Sequence, residues 1–200
     1  MIFVMYNAIL NHSVEFWYLP WNLFLAWVPI GLALLAIRPS LPRWGRAPAL
    51  ALWLLFLPNA FYILTDIIHI GDATRFSQTY DALTICLTIA AGYLAGLIAL
   101  RIIDGAYITP SLSPARRKAA IIMIALLCGI AIYIGRILRW NSWDIVANPL
   151  SLVADFAGIF TLPRSAAEFA LIVVAYASVI VFSYVLMYDK KIDLSGEKKI

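Results

Sequence analysis

The stretch LPNAFYILTDIIHI, residues 57–70, places polar and ionisable side chains inside a run otherwise apolar enough to cross a bilayer. Asn59, Tyr62, Asp66 and His69 follow at steps of three, four and three, so on a helix all four share one face. A carboxylate at the centre of a membrane helix costs about 2.5 to 3.5 kcal/mol on insertion scales, which directs that face into protein and away from lipid. The chain around it has the matching composition. Of its 200 residues, 64% are hydrophobic and 13% charged, and the mean hydropathy is +0.89. Those values lie outside the range of soluble globular chains and inside that of multi-pass membrane proteins.

Working outward, the apolar runs predict an all-α, polytopic transmembrane helix bundle with five spans near 17–37, 48–70, 80–103, 119–139 and 166–188. Each is long enough, at about 1.5 Å per residue, to cross a hydrocarbon core of about 30 Å. Residues 1–200 form a single integral membrane domain. Trp17, Tyr18 and Trp21 mark an interface at the start of the first span. Pro29 and Pro58 fall near mid-membrane, where proline removes a backbone donor and bends the helix. Gly92 and Gly96, four apart, allow close helix contact in the third span, and TPSLSPARRK, 109–118, reads as the loop to the fourth. After the fourth span, Asn148 and Pro149 mark a helix start. Leu152, Val153, Phe156, Ile159 and Phe160 then recur at helical spacing, predicting a short interfacial helix over 149–160 on the outer membrane surface. Residues 1–16 open on MIFVMYNAIL, which has no basic n-region or cleavage site and is too short to span. It reads as an interfacial segment or as a truncated first helix, and 189–200 as a polar cytoplasmic tail. Cys86 and Cys128 sit in apolar runs without CxxC spacing and read as small buried residues.

Basic residues divide by side. Arg38, Arg43, Arg46, Arg101, Arg116, Arg117, Lys118, Lys190, Lys191, Lys198 and Lys199 fall on one face, and Arg75, Arg136, Arg139 and Arg164 on the other, eleven against four of the 15 Lys and Arg. The rich side is cytoplasmic by the positive-inside rule, with the C-terminus inside and, for five spans, the N-terminus outside. The net charge of +4 is then explained by orientation. With no basic patch interleaved with aromatics, nucleic acid is excluded as a partner.

Counting residues from each span's midpoint puts Asp66 and Arg136 each roughly 10 Å above the midplane on the outer side. Equal depth and opposite charge predict an ion pair. Asn22 lies at similar depth, and His69, Asp81 and Glu168 lie nearer the outer interface. Arg101 is the one ionisable group expected to be buried on the cytoplasmic side. This outer gathering continues into Arg139, Trp140, Asn141, Ser142, Trp143 and Asp144. Its structural reading is an Asp66–Arg136 pair fixing helix register, an aromatic belt, and Asp81 capping the third helix. Its functional reading is a pocket open to the outside. There, Asp66 and His69 are the catalytic candidates, as a general base with its orienting acid. Arg136 and Arg139 would hold an anionic group such as a lipid phosphate. Asn22, Asn59, Tyr62, Asp81, Trp140, Asn141 and Asp144 complete the candidate binding set. Asp66 and His69, with Asp144 or Asp81 as third ligand, are the candidate metal residues. A divalent metal is open but not favoured, because a zinc site would want another His or Cys and His12 is the only other histidine. Beyond that, the sequence leaves the cofactor unknown. The partners are the bilayer and an anionic lipid or lipid-linked substrate. A homo-oligomer stays open, since five helices make a small transporter unless the chain dimerises. Several signatures are excluded by inspection. Asp104–Gly105 and Ala115–Arg116 resemble the paired motifs of CDP-alcohol phosphotransferases, but nine residues separate them where two are expected. There is no GxSG motif, paired-His pattern or Gly-rich phosphate loop.

The blocks WNLFLAWVP (21–29), LPNAFYILTDIIH (57–69) and GRILRWNSWDI (135–145) resemble those of a bacterial membrane protein family, domain of unknown function 1361. The resemblance covers nearly the whole chain and implies a multi-pass protein of the bacterial inner membrane. That family has no assigned activity, so the resemblance implies no catalytic residues. Relatives carry another hydrophobic segment ahead of the WNLFLAW block, which favours the truncated-helix reading of residues 1–10 and would put the N-terminus inside. The resulting expectation is an inner-membrane protein of unknown activity with a polar cluster in the outer leaflet. The alternatives are an outward-facing enzyme acting on a lipid-linked or envelope substrate, and a small transporter or lipid translocator.

Overall fold

The computed structural model describes residues 18–72, 78–140 and 147–188; the expectations for 1–16 and 189–200 lie outside them. Five helices are long and apolar enough to cross a membrane. They are α1 (Tyr18–Ala36), α2 (Arg43–Tyr62), α3 (Gln78–Ile103), α4 (Pro114–Arg136) and α6 (Pro163–Tyr188), with the shorter α5 (Pro149–Gly158) between the last two. Every described element is helical. The protein is an all-α, multi-pass membrane protein.

Where the elements start and stop departs from the hydropathy reading in several places, among them the start of α4 at Pro114, five residues before the expected 119. α2 begins at Arg43, five residues before the expected 48. At its other end the helix tightens into a 3₁₀ segment, Ile63–Asp72. Ile63, Thr65, Ile67 and Ile68 are β-branched and crowd an α-helical turn, which favours leaving the α geometry there. The third span also runs past 103. A π-helical stretch, Asp104–Ile108, carries α3 into a last turn at Thr109–Ser111, so most of TPSLSPARRK is helix. Leu112 and Ser113 alone make the turn. Ser113 is held extended (φ −63°, ψ 158°) by Pro114, which sits at the first position of α4. The short interfacial helix starts at Pro149 as expected and ends in a 3₁₀ turn, Ile159–Thr161.

α2 is central: it packs against α1, α3 and α4, while α1 also packs on α3 and α4 on α6. The buried seams are made of small residues, which suits helices associating in lipid by close approach. Ala26, Ala33, Ala60, Ala99, Ala125 and Ala177 are buried, whereas Leu171 is 71% exposed and Phe182 69%, facing where lipid would lie. Gly92 and Gly96 sit against α1 and α2, so closely that a Cβ at Gly96 would lie 2.9 Å from the Cβ of Ala60. A second contact of this kind joins α4 to α6, where a Cβ at Gly129 would come 2.7 Å from the carbonyl oxygen of Val173. Cys128 is buried as expected, but Cys86 is exposed on the outside of the bundle, and both are free. Its position on α3 turns it away from the Gly92 and Gly96 seam.

Candidate functional site

One end of the bundle is formed by the start of α1, the end of α2 with its 3₁₀ extension, and the end of α4. A cavity of about 640 Å³ opens there, within the size range of small-ligand sites. α1 contributes Tyr18, Trp21, Asn22 and Leu25, at steps of three, one and three, so they form one stripe on the helix. α2 contributes Leu55, Phe56, Pro58, Asn59 and Tyr62, and the 3₁₀ segment adds Asp66. α4 contributes Ala131, Ile132, Ile134, Gly135 and Arg136. Trp140, beyond α4, and Leu152 of α5 close the rim. The lining reaches no deeper than Leu25, Leu55 and Ala131, so its lower walls are apolar and its polar groups lie near the mouth.

Asp66 is 2% exposed, and its Oδ2 accepts a hydrogen bond from Asn22 Nδ2 at 3.0 Å. The expected ion pair with Arg136 is not formed: the two share the cavity, but Asn22 meets the carboxylate. Depth along a helix follows from residue count, whereas rotation about the axis does not. The 3₁₀ segment turns by about 120° per residue and not 100°. Asn59 Nδ2 donates to the carbonyl of Phe56 at 3.1 Å, leaving its amide oxygen without a partner among the described residues. Tyr62 packs its ring edge against Gly135, where a Cβ would fall 3.3 Å away. Arg136 ends α4, where the helix dipole favours a cation. It makes no hydrogen bond or ion pair among the described residues. Trp140 Nε1 donates to Asp155 Oδ2 of α5 at 2.9 Å. α5 and the 3₁₀ turn after it are otherwise tied down through Phe156 and Phe160, each edge-on to Phe169 of α6.

Asn22, Asn59, Tyr62, Asp66, Arg136 and Trp140 therefore meet in one cavity. Arg139 does not line it. It occupies the turn after α4 with φ 61°, and Trp140 N–H returns to the carbonyl of Ile134 at 3.2 Å. Asp81 is not a cap residue, because α3 begins three residues earlier at Gln78. The side chains of His69 and Asp81, and all of Asn141 and Asp144, lie outside the described residues. The catalytic pair Asp66 and His69 and the metal set with Asp144 therefore have only Asp66 placed. Among the described residues no three His, Cys, Asp or Glu side chains come together. Tyr18 and Trp21, read from sequence as interface markers, are cavity residues, and so is Leu152. Their spacing with Asn22 and Leu25 carried that signal.

A second polar cluster, at the opposite end, had no place in the sequence reading. Asp104, in the π stretch, is fully buried. Its Oδ1 accepts from Thr109 Oγ1 and Arg117 Nε at 2.9 Å each. Its Oδ2 accepts from Arg117 Nη2, from the Tyr184 hydroxyl and, at 3.4 Å, from Arg101 Nη1. One carboxylate thus ties α3, α4 and α6 together. Arg101, expected to be the buried ionisable group on this side, is instead 45% exposed at its side chain.

The match with known proteins follows the same chain. The family model described as protein of unknown function (DUF1361) matches residues 21–185. The chain belongs to the DUF1361 family. That match runs from Trp21 to Val185, near the end of α6, and so includes nearly all of the cavity lining and the whole Asp104 cluster of this DUF1361 protein. No curated protein and no solved structure matches it. DUF1361 carries no activity to transfer, so the chemistry of the cavity has to be read from its own residues.

Proposed function

We propose that this DUF1361 protein is a membrane-embedded binding protein whose cavity holds the anionic group of its ligand on Arg136. The observation that carries the reading is Arg136 itself: a guanidinium on the wall of a cavity of about 640 Å³ with no ion pair or hydrogen bond among the described residues. An arginine in that state is a ready partner for phosphate or carboxylate, which it grips with parallel N–H donors. The Asn59 amide and the Tyr62 phenol add hydrogen-bonding capacity beside it. Asp66 is engaged with Asn22, which tempers the repulsion an anion would otherwise meet. In the cell we place the protein in the bacterial inner membrane, with the cavity facing outward and the basic end, with Arg38, Arg43, Arg46, Arg116 and Lys118, in the cytoplasm.

The test is anion binding by the protein in nanodiscs of neutral phosphatidylcholine, with sn-glycerol 3-phosphate as probe and calorimetry as readout. Wild type should bind, and Arg136→Gln should weaken binding about tenfold or more, the scale of one lost charge-assisted contact. Equal binding by both proteins, or none by wild type, would remove the proposal.

A further inference from the structure

α1 and α4 both pack against α2, but no comparable packing joins α1 to α4. The cavity lies between them, with α2 as its floor. Among the described residues, its remaining side is therefore a lateral cleft flanked by two membrane-spanning helices, opening toward the bilayer and not only toward water. The walls along that cleft are hydrocarbon: Leu25 from α1, Leu55 from α2, Ala131 and Ile134 from α4. Along α4, Arg136 stands about 3 Å above Ile134 and about 7.5 Å above Ala131, at the mouth. A cation at the rim over an apolar trough that runs down into the membrane is the complement of a lipid, with an anionic headgroup above and an acyl or isoprenoid chain below. A small soluble anion would use Arg136 and leave the trough empty.

Resting on the anion-binding reading above, we infer that the ligand is an anionic lipid that enters sideways between α1 and α4. Its phosphate lies on Arg136 and its chain lies along Leu25, Leu55 and Ala131. The headgroup then sits beneath α5, whose Leu152 touches the same cavity.

The experiment uses the full chain in phosphatidylcholine nanodiscs containing a small fraction of phosphatidylglycerol with a photoreactive acyl chain. Irradiated wild type should carry label on α1 and α4 at the cleft residues. Unlabelled phosphatidylglycerol should compete about a hundredfold more effectively than sn-glycerol 3-phosphate. Arg136→Gln should lose the label, and Leu25→Trp, which fills the trough, should reduce it about tenfold. Label elsewhere on the protein overturns the inference without needing any variant to fold. Equal competition by lipid and by the soluble phosphate also overturns it, yet leaves the anion site on Arg136 standing. Should neither probe bind, both readings fall together. Finally, a cysteine at Leu25 that cross-links, in the absence of added lipid, to one placed within residues 1–17 would assign the cleft to this chain's own N-terminal segment and end the lipid assignment.

Discussion

At the scale of single residues, Asp104 and Asp66 answer differently to mutation. Asp104 is fully buried against Arg117, Thr109 and Tyr184. Asp104→Ala would remove the carboxylate that the Arg117 guanidinium, 17% exposed at its side chain, is packed against, and breaking a buried pair from one side costs about 3 to 5 kcal/mol. Thermal unfolding in detergent should register that loss, and Asp104→Ala combined with Arg117→Met should recover part of it, because replacing both members of a buried pair costs less than replacing one. A double variant as unstable as the sum of the singles would break the pairing argument. Asp66 and Arg136 form no ion pair, so the cycle of Asp66→Asn and Arg136→Gln is expected to be additive within about 0.5 kcal/mol. Coupling clearly above that would mean the two charges act as a pair. Arg139 offers a third case. At φ 61° its Cβ is strained by roughly 1 to 2 kcal/mol, a penalty glycine does not carry. Arg139→Gly should therefore raise the unfolding temperature and Arg139→Val lower it. The reverse order would show that the side chain of Arg139 holds the turn more than its backbone strains it.

At the scale of elements, the two glycine contacts separate side-chain from backbone crowding. A Cβ at Gly92 would meet the Cδ1 of Ile63 at 2.6 Å, closer than the 2.7 Å from a Cβ at Gly129 to the Val173 carbonyl. The Ile63 methyl can rotate away, but the Val173 backbone moves only if α6 moves. Gly129→Ala should thus be the more damaging change, by about 1 to 3 kcal/mol of overpacking, despite its longer contact. Equal losses in a detergent unfolding assay would show that α6 shifts freely against α4. The same contrast explains what the sequence made legible. Gly92 and Gly96 were readable because two glycines four apart announce a seam; Ala125 and Gly129 carry the same four-residue spacing of small residues, but which helix they meet, and at Val173, is a matter of tertiary packing. The spans were readable because crossing a bilayer demands about 20 apolar residues in a row. Their ends were not, since the π stretch at Asp104–Ile108 and the 3₁₀ segment at Ile63–Asp72 change rise and rotation without changing hydropathy. Ending the third span at 103 set Asp104 in a loop and hid the second cluster.

At the scale of the whole molecule, the cavity residues converge because odd and even spans run in opposite directions. The start of α1, the end of α2 and the end of α4 reach the same end of the bundle. That convergence followed from alternation and depth alone, which is why Asn22, Asn59, Tyr62, Asp66, Arg136 and Trp140 could be grouped in advance. Which of them touch could not, because contact depends on helix rotation set by the small-residue seams. The same alternation makes the sidedness testable as a unit. Leu150 on α5 is 84% exposed at the cavity end, and Trp44, in the first turn of α2, is 82% exposed at the basic end. Eleven of the chain's 15 Lys and Arg fall at the basic end or in the tail, and the proposed cytoplasmic placement of that end rests on this bias. Leu150→Cys in intact cells should therefore react with a membrane-impermeant maleimide added outside, whereas Trp44→Cys should react only after the membrane is permeabilised. Both positions are exposed surface, so neither substitution disturbs the core. Labelling in the opposite order would turn the bundle over. The cavity would then face the cytoplasm, and any lipid bound on Arg136 would come from the inner leaflet.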